Sequence, residues 1–102
     1  MWAPSTATPA SKLPVWVFIQ GGGYISNSNA NFNGSTVVNT SNNEIVFVNF
    51  NYRVGSFGFL TSEKVRENGD LNVGLLDQRF LLHWVRDHIA QVCVNSRLTD
   101  RC

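Results

Sequence analysis

Three consecutive glycines, Gly21, Gly22 and Gly23, follow directly on the apolar run Val15-Trp16-Val17-Phe18-Ile19 and the polar Gln20. A turn without Cβ atoms takes positive φ freely and lets its backbone N–H groups come close to a ligand, so it suits a negative oxygen. A flexible linker has the same composition, and only the surroundings separate the two readings. Other reactive residue types are sparse. His83 and His88 are five apart on a helical stretch, about 140° around the axis and so poor joint metal ligands; they read as surface or packing residues. Cys93 and Cys102 are compatible with a small terminal disulfide or with two free thiols, and no metal-ligand spacing is present. Nothing places a base beside Cys93 to make it a nucleophile. The sequence asks for no metal and no cofactor.

The glycines are held by what precedes and follows them. Val15 to Ile19 has the length and the β-branched and aromatic content of a strand covered on both faces, with Pro14 at its first position. Residues 1–13 are rich in Ser, Thr, Ala and Pro and read as a surface lead-in. Tyr24 to Asn43 is dominated by Asn, Ser, Thr and Gly and reads as a long loop with a short helical turn near Thr36 to Asn39, placed to cover the glycine turn. Glu44 to Tyr52 is a second buried strand, which implies neighbouring strands of a mainly parallel sheet. Arg53 to Leu60 reads as a glycine-punctuated aromatic turn and Thr61 to Asp70 as a charged loop. Leu75, Leu76, Leu82, Val85 and Ile89 recur at helical spacing, so a helix is expected from about Val73 to Ala90, capped by Asp70 or Asn72. Phe80, Leu81 and Trp84 widen its apolar stripe and imply heavy burial against the sheet. The arrangement is α/β, one layer of helix on a sheet whose second face is expected to be uncovered.

Composition sets bounds on partners. The 102 residues, 43% hydrophobic and 12% aromatic, suit one small domain. Eight basic residues against seven acidic give a net charge of +1 with no basic block, which argues against nucleic acid or an anionic membrane as the main partner. No apolar stretch approaches the roughly 20 residues that span a bilayer. The first ten residues have neither a basic start nor an apolar core, so no secretion signal is expected in the chain. Asn33-Gly34-Ser35 and Asn39-Thr40-Ser41 match the N-glycosylation acceptor pattern.

Three stretches in register carry a resemblance. Leu13-Pro14-Val15-Trp16-Val17-Phe18-Ile19-Gln20-Gly21-Gly22-Gly23-Tyr24, Asn51-Tyr52-Arg53-Val54-Gly55-Ser56-Phe57-Gly58-Phe59-Leu60, and Asn72-Val73-Gly74-Leu75-Leu76-Asp77-Gln78-Arg79 through Trp84-Val85-Arg86-Asp87-His88-Ile89 resemble the N-terminal part of type B carboxylesterases, the cholinesterase-like α/β-hydrolases. The resemblance covers about residues 13–91 and leaves 92–102 as a divergent tail. It implies a single, incomplete domain over residues 1–102 with a partial α/β-hydrolase fold. It further implies that the amides of Gly22 and Gly23 are oxyanion-hole donors, that Gly21 shapes the turn, and that Arg53 and Asp77 form a buried structural ion pair. Gln20 stands where the family usually has His; that His is not the catalytic base, so the change concerns support of the loop.

The same resemblance shows what is missing. Family members continue into a Gly-x-Ser-x-Gly elbow that carries the nucleophile, with the acidic and His members of the triad later still. No Gly-x-Ser-x-Gly occurs in these residues, and Gly55-Ser56-Phe57-Gly58 has the wrong spacing. The expectation is therefore a fragment of a carboxylic ester hydrolase that is inactive alone, with a small-molecule ester as the substrate of full-length relatives, which are often secreted. The alternative is a non-catalytic interaction module or a truncated product without function. A partial sheet buries little apolar surface, so marginal stability or self-association is expected.

Overall fold

The computed structural model describes residues 1–8, 10–27 and 32–92. Its elements are β1 (Val15–Ile19), α1 (Gly34–Thr40), β2 (Val46–Phe50), α2 (Gly55–Phe59), α3 (Glu63–Asn68), α4 (Val73–His88) and a closing 3₁₀ turn (Ile89–Val92). The two strands pair in parallel, Val15 opposite Val46 through Ile19 opposite Phe50, with α1 in the crossover. Parallel neighbours need such a crossover, because a tight hairpin can join only antiparallel strands.

Alternation along the strands sorts their side chains into two faces. Val46 and Val48 of β2, with Val15 and Val17 of β1 partly buried beside them, face α4 and pack on Val85, Ile89 and Leu81. The opposite face is aromatic. Phe47, only 1% exposed, lies 5.9 Å from Trp2, 5.9 Å from Trp16, 5.3 Å from Phe32 and 6.1 Å from Phe18, measured between ring centroids. Val38 of α1 is also buried. The second face is thus partly covered, contrary to the expectation of a bare one, by a short helix and two aromatic rings from outside the strands. The N-terminal lead-in likewise has a structural role: Trp2 and Phe47 exchange backbone hydrogen bonds of 2.8 and 2.9 Å as an antiparallel bridge along β2.

Several boundaries differ from the sequence expectation, each for a local reason. The charged loop contains α3, whose Val65 amide donates to the Ser62 hydroxyl at 3.2 Å, with Glu63 in the first turn where the helix dipole favours an acid. The aromatic turn closes into the single helical turn α2, with Gly58 N–H donating to the Val54 carbonyl. Asn72 begins α4 without a side-chain cap: it sits at φ 55°, and its carbonyl accepts from the Leu75 and Leu76 amides. Asp70 takes no part.

The largest correction concerns burial. Of the apolar stripe on α4 only Val85 is fully buried, joined by Ile89 beyond the helix end. Phe80 is 72% exposed, and Leu75, Leu76 and Trp84 are exposed as well. A helix of 16 residues is about 24 Å long, whereas a five-residue strand spans about 17 Å, and two strands make a sheet only one strand spacing wide. One stripe of the helix finds a partner. For the same reason β1 is half-buried rather than covered on both faces, with Trp16 and Ile19 exposed.

Candidate oxyanion site

Gln20, the residue after β1, is only 6% exposed, and its carbonyl accepts the Tyr52 hydroxyl at 2.9 Å in a buried hydrogen bond. The chain then turns sharply. Gly22 lies at φ 146°, Gly23 at 60° and Tyr24 at 62°, and the Gly22 carbonyl accepts from the amides of Ile25 at 3.0 Å and Ser26 at 3.2 Å. Only glycine fits at position 22, because a Cβ there would collide with the Ser26 carbonyl. At Gly23 a Cβ would meet no atom within 4 Å, so the turn opens onto free space. Among the described residues the amides of Gly22 and Gly23 donate to no acceptor. Backbone N–H groups without an internal acceptor are the kind of donor that can take an anionic oxygen.

The segment after β2 positions this turn. Asn27 Nδ2 donates to the Tyr52 carbonyl at 2.8 Å, and the Gly55 amide donates to the Tyr24 carbonyl at 2.7 Å. The Tyr24 ring packs 5.0 Å from Phe59 and 6.4 Å from Tyr52. The same segment is tied to α4: Asp77 Oδ1 accepts from Arg53 Nη2 at 2.7 Å, while Oδ2 accepts from Nε at 2.8 Å and from the Arg53 amide at 3.0 Å. Beside them Gly74 lets α4 approach so closely that a Cβ would run into the Arg53 carbonyl and the Phe59 ring. The ion pair is not buried. Its side chains are 56% and 25% exposed. Hydrogen bonding from Arg53 holds the Asp77 carboxyl below the usual carboxylate range, opposed in part by burial.

Among the described residues the other reactive side chains form no further cluster. His83 and His88 are both exposed; His88 stacks on Trp84 at 5.2 Å, with Nδ1 3.0 Å from the Trp84 carbonyl. No group of three metal-ligating side chains occurs among the described residues, and no helix there is long and apolar enough to cross a membrane. Cys93 and Cys102 lie outside the described residues. A hollow of about 390 Å³ between β1 and α1, lined by Trp16, Thr36, Val37, Thr40, Ser41 and Ile45, includes no residue of the glycine turn. The residues that sequence reasoning missed are Tyr52 and Asn27 as supports of the turn. Tyr52 carries a weak signal, a phenol at the end of an apolar strand; Asn27, one Asn in an Asn-rich loop, carries none.

Comparison with known proteins bears on the family and the fold. The Carboxylesterase family profile matches residues 1–96. Lipase 2 of Geotrichum candidum is 43% identical over 93 residues, 88% of this chain and 16% of that protein. Secreted lipase 1 of Botryotinia fuckeliana is 47% identical over 90 residues, 85% of this chain and 16% of that protein. The crystal structure of Aspergillus niger EstA superposes with a TM-score of 0.87 at 65% identity, covering 92% of this chain and 18% of that one. The chain thus spans less than a fifth of the length of the relatives it matches. By the family match over residues 1–96 and the superposition on EstA, the chain belongs to the carboxylesterase family, with part of an α/β-hydrolase fold.

Proposed function

We propose that Gly22 and Gly23 are the oxyanion-hole donors of a carboxylic ester hydrolase and that Gln20 and Gly21 shape the turn that presents them. Two adjacent amides with no acceptor among the described residues, on a turn anchored at both ends, support this reading. When a nucleophile attacks an ester carbonyl, the electron pair of the C=O bond moves onto oxygen. N–H donors about 2.7–3.1 Å from that oxygen stabilise the charge without reorganising. The donors bind the developing charge but neither form nor break the acyl bond. That step needs a nucleophile and a base, and these 102 residues contain no Gly-x-Ser-x-Gly.

The chain by itself is therefore expected to be catalytically silent, its share of the chemistry being charge stabilisation. Arg53 and Asp77 serve to fix the segment after β2 against α4. The experiment has two arms. The purified chain should hydrolyse p-nitrophenyl butyrate at the buffer rate; a rate proportional to protein and retained through repeated purification would contradict inactivity. A chimera in which residues 1–92 replace the matching segment of Aspergillus niger EstA should turn the ester over. A folded but inactive chimera, alongside active EstA, would overturn the proposal that this segment can supply the oxyanion donors.

A further inference from the structure

We propose that Tyr52 is the positioning residue of the glycine turn, clamping it from both sides: its side-chain hydroxyl holds the Gln20 carbonyl before the glycines and its backbone carbonyl holds Asn27 after them. The functional meaning of the clamp rests on the oxyanion reading above; its geometry does not.

A glycine-rich segment has no conformation of its own to fall back on, since each glycine reaches positive φ as readily as negative. The direction of the Gly22 and Gly23 amides must be imposed from outside the turn. Among the described residues, residues 21–26 make two local hydrogen bonds, both onto the Gly22 carbonyl, and these set the shape of the turn but not its place on the molecule. Place is set by the tertiary bonds. Tyr52 makes two of them, one to a residue 32 positions away and one to a residue 25 positions away, and the Gly55 amide adds a third to the Tyr24 carbonyl. Tyr52 is itself well packed: it is 6% exposed, directly follows Asn51 after the end of β2, and lies 6.1 Å from Phe50 and 6.4 Å from Tyr24 between ring centroids. Its hydroxyl is buried with a single hydrogen-bond partner, so the Gln20 carbonyl and the phenol each satisfy a group that would otherwise be stranded. The rigid end of β2 thereby transmits its position to an element that cannot fix its own.

Amide hydrogen exchange of the 102-residue chain, resolved by NMR, tests the clamp directly in the parent, Tyr52→Phe and Asn27→Ala. Tyr52→Phe keeps the ring and deletes only the hydroxyl. Loss of one hydrogen bond should accelerate exchange at Ile25, Ser26 and Gly55 roughly three- to tenfold, while the ladder amide of Val46 and the Ile89 amide at the end of α4 keep their rates. Equal acceleration at all sites would make Tyr52 a general stability residue and overturn the proposal, as would no change at Ile25 and Ser26, or parent rates there already equal to those of an unstructured chain. If Tyr52→Phe does not fold, Asn27→Ala, which releases only the far side of the turn, is read by the same criteria. In the EstA chimera Tyr52→Phe should lower kcat with little change in KM. A fall in kcat with Gly23→Ala but not with Tyr52→Phe overturns the clamp and leaves the oxyanion reading standing. No fall with either overturns the oxyanion reading, and the exchange rates then judge the clamp alone.

Discussion

Asp77 gathers three hydrogen bonds from one residue, the amide, Nε and Nη2 of Arg53, and its carboxyl is held below the ordinary range mainly by the Arg53 side chain. A carboxylate whose folded pKa is lowered adds stability that is complete above its unfolded value, about 3.9, and is lost as the pH falls through the lower folded value. Asp77→Asn should therefore lower Tm at pH 7 by roughly 2–5 °C, a modest effect because the Arg53 side chain of the pair is more than half exposed, and the gap to the parent should narrow at pH 3. An equal gap at both pH values in thermal melts would rule out the charge as its source. The position of the glycine turn at the end of β1 was legible because an apolar run stops at three glycines, but its reading as a shaped turn rather than a flexible linker needed the companion motifs in register with it. The Tyr52 clamp was not legible. A hydrogen bond between residues 32 apart leaves no period or local motif, and Asn27 is chosen from among its neighbours only by where the loop folds back.

At the scale of elements, the strands were legible because their β-branched and aromatic runs are dense, and α4 because its period persists over four turns. The helices α2 and α3 were missed because a single turn or two shows no period. Only the cap signals mark α3, Ser62 before it, Glu63 in its first turn and Gly69 after it. Ser62→Ala should cost about 1 kcal/mol, read as a smaller denaturation midpoint with the rest of the fold intact; no change would show that α3 stands without its cap. The exposure of α4 was illegible for a different reason: an apolar stripe records which face seeks a partner, and whether the partner is present is a property of the rest of the sheet. Substitutions should sort accordingly. Ile89→Ala, at a position 1% exposed, should cost about 2–5 kcal/mol, enough to unfold a small domain, whereas Leu75→Ala on the open face should leave the denaturation midpoint nearly unchanged.

The whole molecule is a two-stranded sheet with aliphatic side chains toward α4 and aromatic ones toward α1, and it leaves Leu75, Leu76, Phe80, Trp84, Trp16 and Ile19 in solvent. Exposed large apolar side chains, among them Leu76, Phe80 and Trp84 at four-residue spacing along α4, favour association, and a net charge of +1 does little to oppose it. Sedimentation velocity should show species heavier than the 11.4 kDa monomer as concentration rises, with Phe80→Glu shifting the population toward monomer; a monomer at every concentration would contradict this. The central claim is that the glycine turn stabilises an oxyanion, and Gly23 is the position at which to test it. Its φ of 60° is reached by alanine at a strain of roughly 1–2 kcal/mol, and an added Cβ meets no protein neighbour, so Gly23→Ala keeps the N–H and the turn but puts a methyl group into the open space beside the amide, where it would hold a carbonyl oxygen away from the donor. In the EstA chimera the kcat for p-nitrophenyl butyrate should fall on the order of 100-fold, toward the loss of one oxyanion donor, with KM little altered. An unchanged kcat in a folded Gly23→Ala chimera would contradict the assignment.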